Sequence, residues 1–153
     1  MVRVNVVAVG RLKEKYFADA VAEYAKRLSA HCAFSVIEVP PAPAGKSPSE
    51  QSETETEALF AKAKGCVVAL DGRGKRLSSE ELAAFIAGKC AAGVSEFSFL
   101  IGGSHGLAEG AVKRADEVVS FGAMTFPHQL FRVMLAEQLY RAFTIIGGTP
   151  YHK

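Results

Sequence analysis

The chain has 153 residues, 49% of them apolar and 22% charged, with a formal net charge of +2. That length and balance suit one domain with a real hydrophobic core and exclude a disordered chain. So mild a charge excludes a non-specific nucleic-acid binder with a broad basic face; RNA affinity would have to come from local patches, or from a dimer that doubles them.

The opening "MVRVNVVAVG" lacks the long apolar core and small-residue cleavage site of a signal peptide. No run approaches the roughly 20 apolar residues of a membrane span. Three cysteines, Cys32, Cys66 and Cys90, lie far apart in apolar contexts, and no pair has metal-ligand spacing. They read as free buried thiols of a reducing compartment, so the expected location is the cytoplasm and no metal is expected.

Strands and helices alternate along the chain. "VNVVAV" (4–9) reads as a strand, apolar on both alternating faces as in a covered sheet. Residues 14–28 repeat apolar positions at helical spacing, and "FSVIEV" (34–39) is the second strand. The Pro-rich stretch 40–48 is too short for an interdomain linker and reads as a loop. A helix over 46–64 opens with a capping box of Ser47, Pro48 and Glu50, and its acidic first turns suit the positive helix end. "CVVAL" (66–70) is the third strand, and a helix over 77–89 repeats the box with Ser78 and Glu81. "FSFLI" (97–101), a short helix over 107–114, "EVVSF" (117–121) and a long helix from about Pro127 to Ile146 complete the pattern. The alternation predicts one α/β domain over 1–153, with a mainly parallel sheet flanked by helices.

Three segments leave predicted strands, where ligands of open α/β sheets sit. "LIGGSHG" (100–106) has glycines that let the backbone turn sharply and approach a ligand, but it lacks the dinucleotide spacing. It reads either as a pocket wall or as a tight turn. "LDGRGKRLSS" (70–79) lacks the P-loop spacing and reads as an exposed basic turn, whose Arg73, Lys75 and Arg76 could meet RNA phosphates. "SFGAMTFPHQL" (120–130) is small or apolar until His128; it suits an uncharged aromatic ring such as adenine, or a buried turn.

The long helix carries Leu130, Phe131, Met134, Leu135, Leu139, Phe143 and Ile146, an apolar surface too wide for one-sided burial. Either the domain surrounds it or a second copy does. His128 and Arg132 share one face, while Glu137 and Arg141, four apart, form either a surface ion pair or a buried one. Gly147, Gly148 and Pro150 then make "GGTPYHK" (147–153) a short stiff arm bearing Tyr151, His152 and Lys153. From the residues, it is either a frayed end or a site.

"MTFPHQLFRVMLAEQLYRA" with "PYHK", the upstream "IGGSHG" and "LDGRGK…SSEE" resemble the SPOUT-class methyltransferase family that modifies a pseudouridine in large-subunit ribosomal RNA. The likeness runs the whole length, from "VAVGRLKEKY" to the final lysine. The resemblance implies an α/β knot fold with a C-terminal trefoil knot, a homodimer, and S-adenosylmethionine as methyl donor. It also implies methylation of pseudouridine N3 in ribosomal RNA, preferably in the assembled ribosome. Leu70, Gly102, Phe121, Gly122, Ala123, Met124, Thr125 and Phe126 match the family's cofactor-binding positions. Gly122 stands where many relatives are expected to have serine, which removes a side-chain hydrogen bond and leaves the backbone contact. Tyr151, His152, Lys153 and Arg141 match positions facing the target, where His152 would take the N3 proton and Lys153 or Arg141 the negative charge. Tyr151 would stack on the base. His128, Arg132, Arg73 and Lys153 are expected to contact RNA, with Lys13 and Lys15 in basic turns that dock on the ribosome. The competing readings are a nucleotide-binding protein of another class and a non-catalytic ribosome-associated dimer.

Overall fold

A computed structural model describes residues 1–153. Five strands, β1 (Arg3–Val9), β2 (Ala33–Val39), β3 (Cys66–Arg76), β4 (Glu96–Ile101) and β5 (Glu117–Ser120), form one sheet in the order β2-β1-β4-β3-β5. Every pair is parallel. The helices are α1 (Lys15–Leu28), α2 (Pro48–Lys62), α3 (Ser79–Ala91), α4 (Gly110–Arg114) and α5 (His128–Gly147).

The alternation of strand side chains divides the core in two. Val4, Val6, Val68, Phe97, Phe99 and Val119 face a layer built from α1, α3 and α5, where Leu28, Ile86, Leu135 and Leu139 are fully buried. Val7, Val9, Ala69 and Leu100 face α2 and α4 through Leu59, Phe60 and Ala111. Strands covered on both sides must be apolar at every position, which is why these runs carry almost no polar residue. Asn5 and Ser98 are exceptions with partners. Asn5 accepts from the Ser35 hydroxyl at 2.7 Å and donates to Glu96 at 2.9 Å. Ser98 Oγ donates to the Lys64 carbonyl at 2.7 Å and so pins the residues just after α2 to the sheet.

Both expected capping boxes form, at Ser47–Glu50 and Ser78–Glu81. α5 ends at Gly147, with Gly148 left-handed at φ 73° so that the last carbonyls find N–H donors. Two expectations change. The basic stretch after Leu70 is not a turn: β3 continues through Arg76, pairing with β5 at Val68–Leu70 and again at Lys75–Arg76. The register shifts between the two, so residues 71–74 arch out and return, and Gly74 lies so near the Val118 backbone that a Cβ would stand 2.5 Å from its carbonyl carbon. The thiols also differ. Cys32 and Cys66 are buried, with burial pushing Cys32 up to about 11, whereas Cys90 is exposed.

Candidate functional site

β4, β3 and β5 are adjacent, so the segments leaving β4 and β5 converge on the arch within β3 that begins after Leu70. They enclose a cleft of about 850 Å³ whose wall includes Leu70, Gly102, Phe121, Gly122, Ala123, Met124, Thr125 and Phe126. All eight residues matched to cofactor positions thus meet in one place. Gly102 must be glycine, because a Cβ there would stand 2.6 Å from the Gly106 carbonyl carbon. Phe121 and Phe126 pack against Phe131 with ring centroids 4.6 and 6.3 Å apart. The backbone N–H groups of Ala123 through Phe126 donate to nothing within the chain. Flat apolar walls beside free backbone donors fit a purine, bound by its faces and edge. The acid on the wall, Asp71, is neutralised in place: Arg73 grips it at 2.8 and 2.9 Å and holds its carboxyl below the usual range.

Two neighbouring cavities share wall residues with this cleft. One, of about 580 Å³, shares Phe121 and Gly122 with it and reaches Arg76, Ser79, Met134 and Glu137 between α3 and α5. The other, of about 940 Å³, shares Gly103, Ser104 and His128 and lies beyond the ends of β1 and β2. No three His, Cys, Asp or Glu side chains are grouped so as to hold a metal ion, and no helix is long and apolar enough to cross a membrane.

The 149–153 segment is docked, not frayed. Arg141 binds Glu137 through Nη2 at 2.7 Å and Nε at 3.3 Å, an ion pair that is largely buried. Tyr151 donates its hydroxyl to the same Glu137 at 2.6 Å, its ring edge-on to Tyr140 at 4.8 Å, with the Arg141 guanidinium also 4.8 Å from it. Arg141 Nη1 lies 3.1 Å from His152 Nδ1. A guanidinium can only donate, so Nδ1 must accept, and the proton sits on Nε2, which donates to Glu80. Docked in this way, His152 has no nitrogen free to take a proton. The expected base role therefore requires Arg141 to move. None of the last three residues lines the cleft of its own chain.

The phenol contact gives a pH prediction. Tyr151 can donate to Glu137 only while protonated, so this hydrogen bond, and burial after it, raise its pKa above the ordinary value of 10.0. Its contribution to docking is fully present below pH 10.0 and is lost only as pH climbs through the raised folded value. Tyrosinate absorbance should therefore show a late alkaline step that Tyr151→Phe abolishes. An unchanged titration in the variant would contradict the docked geometry.

Among the residues expected at RNA, Arg132 is corrected. It is 1% exposed, paired with Glu38 at 2.7 Å and donating to the carbonyls of Gly10 at 3.0 Å and Val9 at 3.3 Å. A guanidinium enclosed in this way ties α5 to the ends of β1 and β2 and cannot reach a phosphate. His128 lies on the cleft wall, where burial pushes its pKa down and the Arg132 charge adds to the effect. It therefore offers an uncharged ring rather than a cation. Arg73 is part-exposed, but its guanidinium is engaged by Asp71. Lys153 is exposed and makes no ion pair.

The sequence reading missed Glu80 and the hub role of Glu137, which hold the docked segment, and Glu55, a buried acid on α2 that lines the 940 Å³ cavity. Glu55 was legible in outline. Ser52, Glu55, Thr56 and Leu59 follow the i, i+3, i+4, i+7 rule of a buried face, and all four are buried.

Residues 2–152 match the family described as "Predicted SPOUT methyltransferase". The chain is 50% identical to the ribosomal RNA large subunit methyltransferase H of Carboxydothermus hydrogenoformans, covering 98% of this chain and 99% of that protein. It is 49% identical, with the same coverage, to the protein of that name from Limosilactobacillus reuteri. Among solved structures, the tRNA (m1G37) methyltransferase of Aquifex aeolicus superposes with a TM-score of 0.50 at 13% identity, over 92% of this chain and 69% of that one. That likeness concerns the fold only.

Proposed function

The chain belongs to the SPOUT methyltransferase family, and from that membership we propose that it methylates N3 of a pseudouridine in large-subunit ribosomal RNA, with S-adenosylmethionine as donor. It does so as a homodimer on the assembled ribosome. The observation that carries this reading is the convergence of the segments after β4 and β5 with the β3 arch on one nearly uncharged, aromatic-walled cleft. The C-terminal trefoil knot belongs to the same proposal; the return of β5 to β3 on both sides of the 71–74 arch supports it.

When bound, the cofactor supplies an activated methyl group on a sulfonium. What remains for the chain is alignment of the acceptor and removal of its proton. Leu70, Phe121 and Phe126 would hold the adenosine portion, with the free N–H groups of 123–126 as donors to it. The 149–153 segment of the sister subunit overhangs the cleft mouth, with Tyr151 against the target base. Loss of the N3 proton leaves negative charge on the base, which Arg141 and the unpaired Lys153 stabilise. As Arg141 turns from His152 toward that charge, Nδ1 is freed and accepts the proton, while Glu80 holds the opposite nitrogen in register.

The test uses ribosomes lacking the modification, incubated with the protein and methyl-labelled S-adenosylmethionine. One labelled N3-methylpseudouridine per large subunit is expected, with protein-free RNA a much poorer substrate. Label at another nucleotide, or none at all, would refute the proposal.

A further inference from the structure

The cavity of about 940 Å³ beyond the carboxyl ends of β1 and β2 holds two cations without counter-charges. Exposed Arg11 and Lys13 line it, and neither makes an ion pair. Neither of its acids is free to meet a ligand. Glu38 is paired with Arg132 at 2.7 Å, and the unpartnered Oε1 of Glu55 has no exposed surface and packs on the Gly103 backbone. The unpartnered Nε of Arg132 is sealed in the same way. The charge that an incoming group meets is therefore that of Arg11 and Lys13.

The segment that carries them is pinned at both ends. The Gly10 N–H donates to the Val39 carbonyl at 2.8 Å, and the Lys13 N–H donates to Gln129 Oε1 at 3.1 Å. It is thus tied to β2 on one side and to α5 on the other. The cavity shares Gly103, Ser104 and His128 with the aromatic cleft, so its occupant lies beside whatever fills that cleft. His128 presents an uncharged ring there. Just outside, Tyr16 is 65% exposed, with its ring edge-on to Phe17 at 4.6 Å. Cations interleaved with aromatic rings form the surface that unpaired RNA meets, phosphates on the charges and bases on the rings.

Resting on the RNA-methylation reading above, we propose that this cavity seats a nucleotide flanking the methylated one, with its phosphate held by Arg11 and Lys13 and its base against the His128 ring. The target base is thereby fixed from the side as well as from above.

Single-turnover methylation of ribosomes lacking the modification tests this with the full-length protein. Arg11→Ala combined with Lys13→Ala should raise the half-saturating ribosome concentration about tenfold, and should flatten the log–log salt dependence by roughly 1.4, at about 0.7 per single-strand phosphate contact. The control pair is Lys62→Ala with Lys64→Ala, the same charge change at the opposite end of the sheet, which should stay within about twofold. S-adenosylhomocysteine affinity should also hold within about twofold in the Arg11/Lys13 variant, which reports that it is folded. A photo-crosslinker on Pro41→Cys, in a Cys90→Ser background, should label RNA beside the methylated nucleotide. Equal losses in the two charge variants would overturn the proposal. So would a parallel loss of S-adenosylhomocysteine binding, which would give the cavity to the donor's amino-acid end. Cross-links to ribosomal protein, to a second copy of the chain or to distant RNA would overturn it too. A wild-type protein that methylates no RNA would overturn the functional reading itself, and this inference with it.

Discussion

Replacing Arg141 with alanine should slow methyl transfer to ribosomes by about 10²- to 10³-fold, the usual loss when one donor to a developing anion is removed. The expectation follows from how many partners one guanidinium has. It grips both oxygens of Glu137, lies 4.8 Å from the Tyr151 ring and donates to His152 Nδ1. Contact with Glu137 raises its pKa further, so it is a permanent cation. Alanine removes the charge and unfastens the aromatic and imidazole groups together. Lysine should recover only part of the loss, since an ammonium cannot reproduce the two-pronged grip on Glu137. The measurement is a single-turnover methylation rate, with S-adenosylhomocysteine affinity as a check that the cleft is intact. A rate within threefold of wild type would exclude Arg141 from the reaction.

The second large effect concerns stability. Arg132→Met should destabilise the fold by about 3 kcal/mol, at the low end for breaking a buried ion pair because Glu38 remains partly in water. Most of the cost comes from the Val9 and Gly10 carbonyls, which lose their guanidinium donor beneath α5. Glu38→Gln should cost less, about 2 kcal/mol, because the glutamine oxygen can still accept from the guanidinium although the buried cation loses its counter-charge. Urea denaturation of the three proteins checks the order. Equal losses for the two variants would mean that the ion pair, and not the carbonyl contacts, is what matters.

Strands, helices and both capping boxes were legible because each depends on neighbours within a few residues. Valine and phenylalanine runs give the sheet, and Ser47 with Glu50 gives the start of α2. The segments after β4 and β5 that wall the cleft were also legible, since each follows a strand directly. The errors involve distant partners. "GRGK" looks like a turn until Lys75 is seen to pair with Val119. Arg132 looks like surface charge until Glu38, 94 positions away, is seen to meet it. The 149–153 arm resists classification because its anchor Glu80 lies 72 residues upstream of His152. Local periodicity carries no information at such separations.

Phe121 and Gly122 border both the purine-sized cleft and the smaller cavity between α3 and α5. The same two residues thus form part of the wall of both compartments. An adenosine mimic bearing a short apolar extension past Gly122 would occupy both at once and reach Met134 and Leu82 on the far side. Such a two-chambered ligand would draw its selectivity from the second compartment.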